Sequence, residues 1–428
     1  MNTKKAPLLD PTVLMVVTIA LLGIVIYAGN VMTVNTSEIT DIICLVSFTF
    51  MPISGIVSAI CFLIPLHSGI TGLYIYGYAV AMILVKSRKF KVKMILPVIA
   101  IIVYEMIMML FVKSSEFNYI LIYALTVFLT FYMMNSEEVN PRTACIAYIC
   151  GTFVLLLCIF TTSIQIYSFE TVMSGTVRIG EYEGLENLGK IAVVTENANS
   201  TAYYSLVAII MALNVLKTSK PFIKILLIAA ILFMITVSLF TVSRTFVIML
   251  SILLILSFLS AFNFKQKIIF LFVIVLILSI GLPFLKQNTQ VFDAFTERFE
   301  DDDLSSGAGR SEIFGKYMQF LWDNPLRLVF GTGAVFYKNV CNIPNSMHNG
   351  TQQILVAYGV LGFIPVLSAF ISPIFDYLKK NKFKFAKFLP VLAAVAFTQS
   401  IQFLNPFNLM LPYAIAIMCM KIPDSEEK

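Results

Sequence analysis

Four side chains in this sequence are equipped for chemistry on a charged substrate: Arg178, Arg244, Arg310 and His348. A guanidinium is planar and permanently charged, and its forked donors grip a phosphate through two hydrogen bonds, which a lysine ammonium does not do. An imidazole, with an unperturbed pKa of about 6.5, is largely free base at neutral pH and takes a proton from an attacking hydroxyl. Three forks and one base describe a site that holds an anion beside a general base. The only other histidine, His67, sits beside Pro65 at a break between apolar runs and reads as a satisfied membrane histidine. A single arginine at a helix mouth also serves as a snorkelling anchor, its stem in hydrocarbon and its charge among headgroups. That explanation suits any one of the three and weakens when all three fall on the same face as a histidine.

Composition dictates which elements must position these residues. The chain has 428 residues, 59% of them hydrophobic and 13% charged, with a mean hydropathy of +0.88. No soluble domain sustains those values. Repeated apolar runs of about 20 residues are what a bilayer demands, because each backbone polar group must be satisfied inside its own helix. The expectation is an all-α polytopic integral membrane protein, a single membrane domain over 1–428, with about 12–14 transmembrane helices. The net charge of +6 is carried by lysines in short loops, where it reports orientation and not nucleic-acid binding. No small-residue cleavage site follows the first apolar run, so no cleavable signal peptide is expected. The seven cysteines show no disulfide or zinc spacing, and only Cys341 lies in a long loop. No internal repeat stands out.

Counting spans places the four residues together. Lys86 to Lys93 holds five basic residues in eight, which marks a cytoplasmic turn, and four spans, three of them short, fit the stretch before it better than two. Lys217, Lys220 and Lys224, then Lys265 and Lys267, then Lys379 to Lys387 mark further inner turns. Two polar loops, 168–199 and 286–349, then fall on the outer face, and both termini fall in the cytoplasm. Arg178 lies in the first loop, Arg310 and His348 lie in the second, and Arg244 heads a span at the tight outer turn Ser243-Arg244-Thr245. Positive charge is normally scarce on that face.

The long loop carries further local signals. After Gly309, the apolar spacing Ile313, Phe314, Tyr317, Met318, Phe320, Leu321 predicts a short amphipathic helix on the membrane surface. Arg310 at its N-terminal end would add to the positive end of the helix dipole, an arrangement that suits an anion. Gly331-Thr332-Gly333 allows a tight turn but is no phosphate loop, since no Lys-Ser/Thr follows. Asp301 to Asp303 reads as a solvated charge run in preference to a Ca²⁺ or Mg²⁺ site. His348-Asn349 directly precedes an apolar helix beginning near Thr351.

Taken in order, Arg178…Gly180…Asn197-Ala198-Asn199, Ser243-Arg244, Gly309-Arg310…Trp322…Pro325-Leu326…Gly331-Thr332-Gly333, His348-Asn349 and Tyr358-Gly359-Val360-Leu361-Gly362 resemble the O-antigen ligase and polymerase superfamily. The resemblance covers roughly 170–365. Two departures are visible: Ala198 stands where the family has proline, and Tyr358 where an acidic residue is common. The resemblance implies a glycosyltransferase that moves a glycan from undecaprenyl diphosphate to an acceptor hydroxyl on the outer face of a bacterial cell membrane, with no cofactor and no metal. It implies His348 as catalytic base, Arg178, Arg244 and Arg310 as diphosphate ligands, and Asn199 and Asn349 as supporting residues. The expected partners are the undecaprenyl-diphosphate-linked oligosaccharide and membrane lipid, with a flippase and chain-length regulators as candidates and no nucleic acid. A polysaccharide polymerase is the first expectation and a ligase of finished polymer the second. A flippase is the non-enzyme alternative, disfavoured because transporters place their charges near the bilayer midplane.

Overall fold

The computed structural model describes residues 10–66, 73–112, 117–174, 177–180, 197–261, 268, 279, 310–404 and 410–423. Among the described residues every regular element is helical, as hydrocarbon requires. The chain opens with α1 (Pro11–Met32), α2 (Ser37–Phe50), α3 (Ile53–Leu63, extended by the tight turn Ile64–Leu66) and α4 (Leu73–Lys86). Then come α5 (Val92–Val112), α6 (Phe117–Asn135), α7 (Pro141–Tyr167) and the short α8 (Phe169–Ser174). Next are α9 (Ala198–Lys217), α10 (Pro221–Leu239) and α11 (Arg244–Ala261). The region before the last spans forms α12 (Arg310–Asp323), α13 (Pro325–Phe330) and α14 (Tyr337–Cys341), and the chain finishes with α15 (Gly350–Lys380), α16 (Phe385–Thr398) and α17 (Leu411–Met420). Seven of these are long and apolar enough to cross a membrane, and five more apolar helices have 10–17 residues. The protein is an all-α polytopic membrane protein. The stretch expected to span 268–285 lies outside the described residues, apart from two isolated positions.

Hydrogen bonds sort the helix ends into two groups. At one end the lysine-rich turns lock together: Lys86 Nζ donates to the carbonyls of Phe48 and Thr49 (both 2.8 Å), and Lys91 pairs with Glu137 at 2.5 Å. Arg142 donates to Ser219 (3.1 Å) and Lys387 to the Ile422 carbonyl (2.8 Å) at the same end. At the opposite ends of α9 and α10 sit Asn199 and Thr241, which share Arg178 as a donor. The 20 residues of α9 separate those two groups by about 30 Å at 1.5 Å per residue. The lysine-rich turns and the site arginines therefore occupy opposite ends of the bundle. The first four helices alternate in direction between these ends. Asn30, late in α1, bonds Thr162 near the end of α7 (3.0 Å), whereas Lys86 at the end of α4 reaches the end of α2.

One expectation needs correcting. The helix after His348 is not continuous, because Gly359 inside α15 has φ 62° and ψ −175°. Such a break frees carbonyls that a bilayer cannot satisfy, and a neighbouring turn satisfies them. Thr332 N–H donates to Val356 O (3.0 Å), Thr332 Oγ1 donates to the same carbonyl (2.9 Å), and Gly333 N–H donates to Ala357 O (2.8 Å). From α5, Tyr104 Oη donates to Phe330 O (2.6 Å) and to Ala357 O (3.0 Å). Backbone meets backbone here. A Cβ on Gly331 (φ 87°) would lie 2.3 Å from Ala357 O, and one on Gly359 would lie 2.4 Å from Val329 O. Only glycine fits either position. Tyr104 is eight residues short of the end of α5, so α13 and the Gly331–Gly333 turn reach about 12 Å along that helix. This part of the long loop folds into the bundle.

Candidate active site

Arg178 lies after α8 in a short irregular segment, anchored by Ile179 N–H donating to Phe240 O (3.1 Å). Its Nε donates to Thr241 O at 2.7 Å and its Nη2 to Asn199 Oδ1 at 3.1 Å, while Ser243 Oγ donates to the same Oδ1 at 3.3 Å. Asn199 thus joins the first polar loop to the Ser243-Arg244 turn, two segments more than forty positions apart in sequence. Thr241 and Ser243 are buried, and the turn between them is fixed by Val242 at φ 47°.

Arg310 opens α12, which begins where its apolar spacing suggested. Tyr317 and Leu321 turn inward onto Tyr337, Cys341, Met347 and Val356. Two further bonds fix α12 against the chain that carries His348: Tyr317 Oη donates to Asn345 O (2.8 Å), and Gln352 Nε2 donates to Phe314 O (2.9 Å). Asn349 caps α15, its Oδ1 accepting from Gln352 N–H at 2.9 Å, so its side chain is committed to directing the chain at His348. Deeper in that helix, Gln353 Oε1 accepts from the N–H groups of Phe403 (2.8 Å) and Leu404 (2.7 Å), which ties its first turn to the segment after α16.

Electrostatics brings the two halves together. Burial, and then the like charges of Arg244 and Arg178, lower the Arg310 guanidinium from its ordinary value. Burial first, then Arg310 and Lys338, lower the His348 imidazole below 6.5. No carboxylate among the described residues pairs with Arg310. The arrangement is a cluster of positive charge beside a base kept neutral at physiological pH. Helix ends add to it: Asn199, Arg244, Arg310 and His348 each lie within two residues of the start of α9, α11, α12 or α15. Each helix start presents about half a positive charge and unpaired N–H groups, so four of them near one place favour an anion. Sequence reading identified this feature only for α12, since it appears only once the other three helix starts are known.

Glu105 was not identified from the sequence at all. It is fully buried within α5 and accepts from Ala334 N–H (2.7 Å) and Val335 N–H (3.3 Å), just beyond the Gly331–Gly333 turn. It also hydrogen-bonds Tyr358, whose hydroxyl lies 2.6 Å from that of Tyr123. Where the family pattern commonly has an acid, this chain has a tyrosine held by a carboxylate from another helix. The available signal was a lone acid in an apolar span, which ordinarily marks a specific partner. Here that partner is main chain: Glu105 satisfies N–H groups that have no water to turn to. Glu105→Leu should therefore strand two buried donors at about 1–3 kcal/mol each. We expect a clear drop in the thermal unfolding midpoint in detergent, partly restored by Glu105→Gln, which keeps one acceptor oxygen. An unchanged midpoint for Glu105→Leu would mean that the carboxylate does not hold the turn.

His67, Arg298 and the acidic run Glu300 to Asp303 lie outside the described residues. A multi-pass, all-α membrane fold with an arginine-lined polar site at one end is the class of protein that these observations define. Residues 229–367 match the family model described as O-Antigen ligase. Over that stretch the chain is similar to the O-antigen ligase family. The match covers less than half of the chain and takes in Arg244, Arg310, His348 and both sides of the Gly331–Gly359 contact, while Arg178 and Asn199 precede it. No curated protein and no solved structure gives a match.

Proposed function

We propose that the protein is a polysaccharide polymerase. It lengthens a repeat-unit chain, of O-antigen, capsule or exopolysaccharide type, by transferring a glycan from undecaprenyl diphosphate to an acceptor sugar hydroxyl. The observation that carries this reading is the clustering of Arg244 and Arg178 about Arg310, which itself lies beside the neutral base His348, at the end of the bundle opposite the lysine-rich turns. In the proposed step His348 takes the proton of the acceptor hydroxyl as its oxygen bonds to the anomeric carbon. The bond from that carbon to the diphosphate breaks, and its electron pair leaves with the lipid diphosphate. The arginines and helix starts meet the charge that develops on the departing oxygen, the place where fixed positive charge accelerates a reaction most. Orientation follows from the lysine-rich turns, which hold that end in the cytoplasm. The site then faces outward in a bacterial cell membrane, with both termini inside.

The matching family's description favours a second reading, in which finished polymer is transferred to another acceptor. The glycan that accumulates on the lipid carrier after deletion separates the two. Single repeat units are expected for a polymerase. Long polymer on the carrier would replace this reading with ligase activity.

A further inference from the structure

The lysine-rich end contains a cavity of about 330 Å³ that the proposed reaction does not use. It lies where the ends of α6, α15 and α17 meet the starts of α5 and α7. Two lysines on its wall are matched by acids: Lys91 by Glu137, and Lys93 by Asp376. The other two, Lys380 and Lys421, feel the same two carboxylates but make no salt bridge among the described residues, so four ammonium groups share two acids. Lys421, the first residue after α17, points inward and donates to the Met134 carbonyl at 2.5 Å. Burial, followed by the like charges of Lys93 and Lys91, pushes the Lys421 ammonium down to about 8.

A second, independent feature lies on the same wall. Asn135 is only 6% exposed. Its Nδ2 is committed to the Phe131 carbonyl (3.0 Å), while its Oδ1 is buried with no partner. A buried acceptor left unpaired costs about 1–3 kcal/mol, so it points to a donor supplied from outside. An occupant must then present negative charge to Lys380 and Lys421 and an O–H or N–H to Asn135. Water alone supplies the second and not the first, and an aprotic anion such as chloride or sulfate the first and not the second, whereas a phosphate group bearing a hydroxyl supplies both. The volume is at the lower end of small-molecule sites.

We propose that this cavity binds a glycerol phosphate ester, with phosphate oxygens on Lys380 and Lys421 and a glycerol hydroxyl on Asn135 Oδ1. Its position at the ends of membrane helices is the depth at which basic pockets take anionic lipid headgroups. The same chemistry is also available from soluble glycerophosphate. The full-length protein in detergent would be titrated with phosphatidylglycerol, with phosphatidylcholine and with soluble glycerophosphate, and binding read by native mass spectrometry and by the shift in thermal unfolding. Phosphatidylglycerol should bind in preference to phosphatidylcholine, and retention should weaken as pH rises through 8 and Lys421 loses its proton. Lys421→Gln and the rim variant Lys380→Glu should each weaken binding by roughly fivefold or more, the worth of one lysine at such a surface. Lys220→Gln, at the same end but outside the cavity, should not. Lys380 is at the rim, so its variant carries the test even if Lys421→Gln folds poorly. A soluble glycerophosphate shift equal to that of the lipid would identify the free ester as the occupant. Equal binding of both lipids with no glycerophosphate shift, or undiminished phosphatidylglycerol binding by the Lys380 variant, would overturn the proposal.

Discussion

His348→Ala should reduce glycan elongation by about 10²–10⁴-fold, the usual contribution of a positioned general base, while leaving protein level and lipid-linked donor intact. His348 stands outside the hydrophobic clusters and is only partly buried, so its loss removes little packing. The pH profile separates chemistry from structure. Burial and the charges of Arg310 and Lys338 lower the imidazole pKa below 6.5, which leaves the base free at neutral pH. Activity of the wild type should hold near neutrality and fall only as pH drops through that lowered value, when the imidazole takes up a proton. The residual activity of His348→Ala should lack this acidic limb. Elongation at the wild-type rate in the variant would remove His348 from the catalytic role.

Arg244→Lys and Arg310→Lys come next in expected effect. Each keeps the charge and loses the fork. A hydrogen bond to a charged group contributes about 1.5–3 kcal/mol. Removing one transition-state bond of that size slows the reaction by roughly tenfold to more than a hundredfold. Lysine would serve well as a membrane anchor, so the substitution discriminates between recognition and anchoring. At matched protein levels, shortened glycan distributions are expected for both variants. Wild-type distributions in both would show that the two arginines only anchor helix ends.

The all-α membrane fold was legible because hydrocarbon imposes one rule on every span, and apolar composition reports it directly. The relative placement of lysines and arginines at opposite ends was legible for the same reason, through short basic loops. The start of α12 at Arg310 followed from apolar spacing. The break at Gly359 did not, because a glycine in an apolar run is equally compatible with a continuous helix. Its cause lies far away in sequence, in Gly331, Thr332 and Tyr104, which accept the close approach and satisfy the freed carbonyls. Glu105 was missed for a related reason: its partners are main-chain N–H groups, and backbone carries no residue-type signal. The joining of Arg178 to Ser243 through Asn199 rests on a side-chain contact that no local pattern encodes. Residue type, position and the family resemblance nominated the residues of the candidate site, but the scaffold around them was not legible.

The central claim is that this protein breaks the bond between a glycan and its lipid diphosphate at the arginine-lined site. Purified protein in proteoliposomes, supplied with a polyprenyl-diphosphate-linked repeat unit, tests it directly. One free polyprenyl diphosphate should be released for each glycosidic bond made, with glycan lengthening in step. Donor that crosses the bilayer intact, or persists with no diphosphate released, would contradict it.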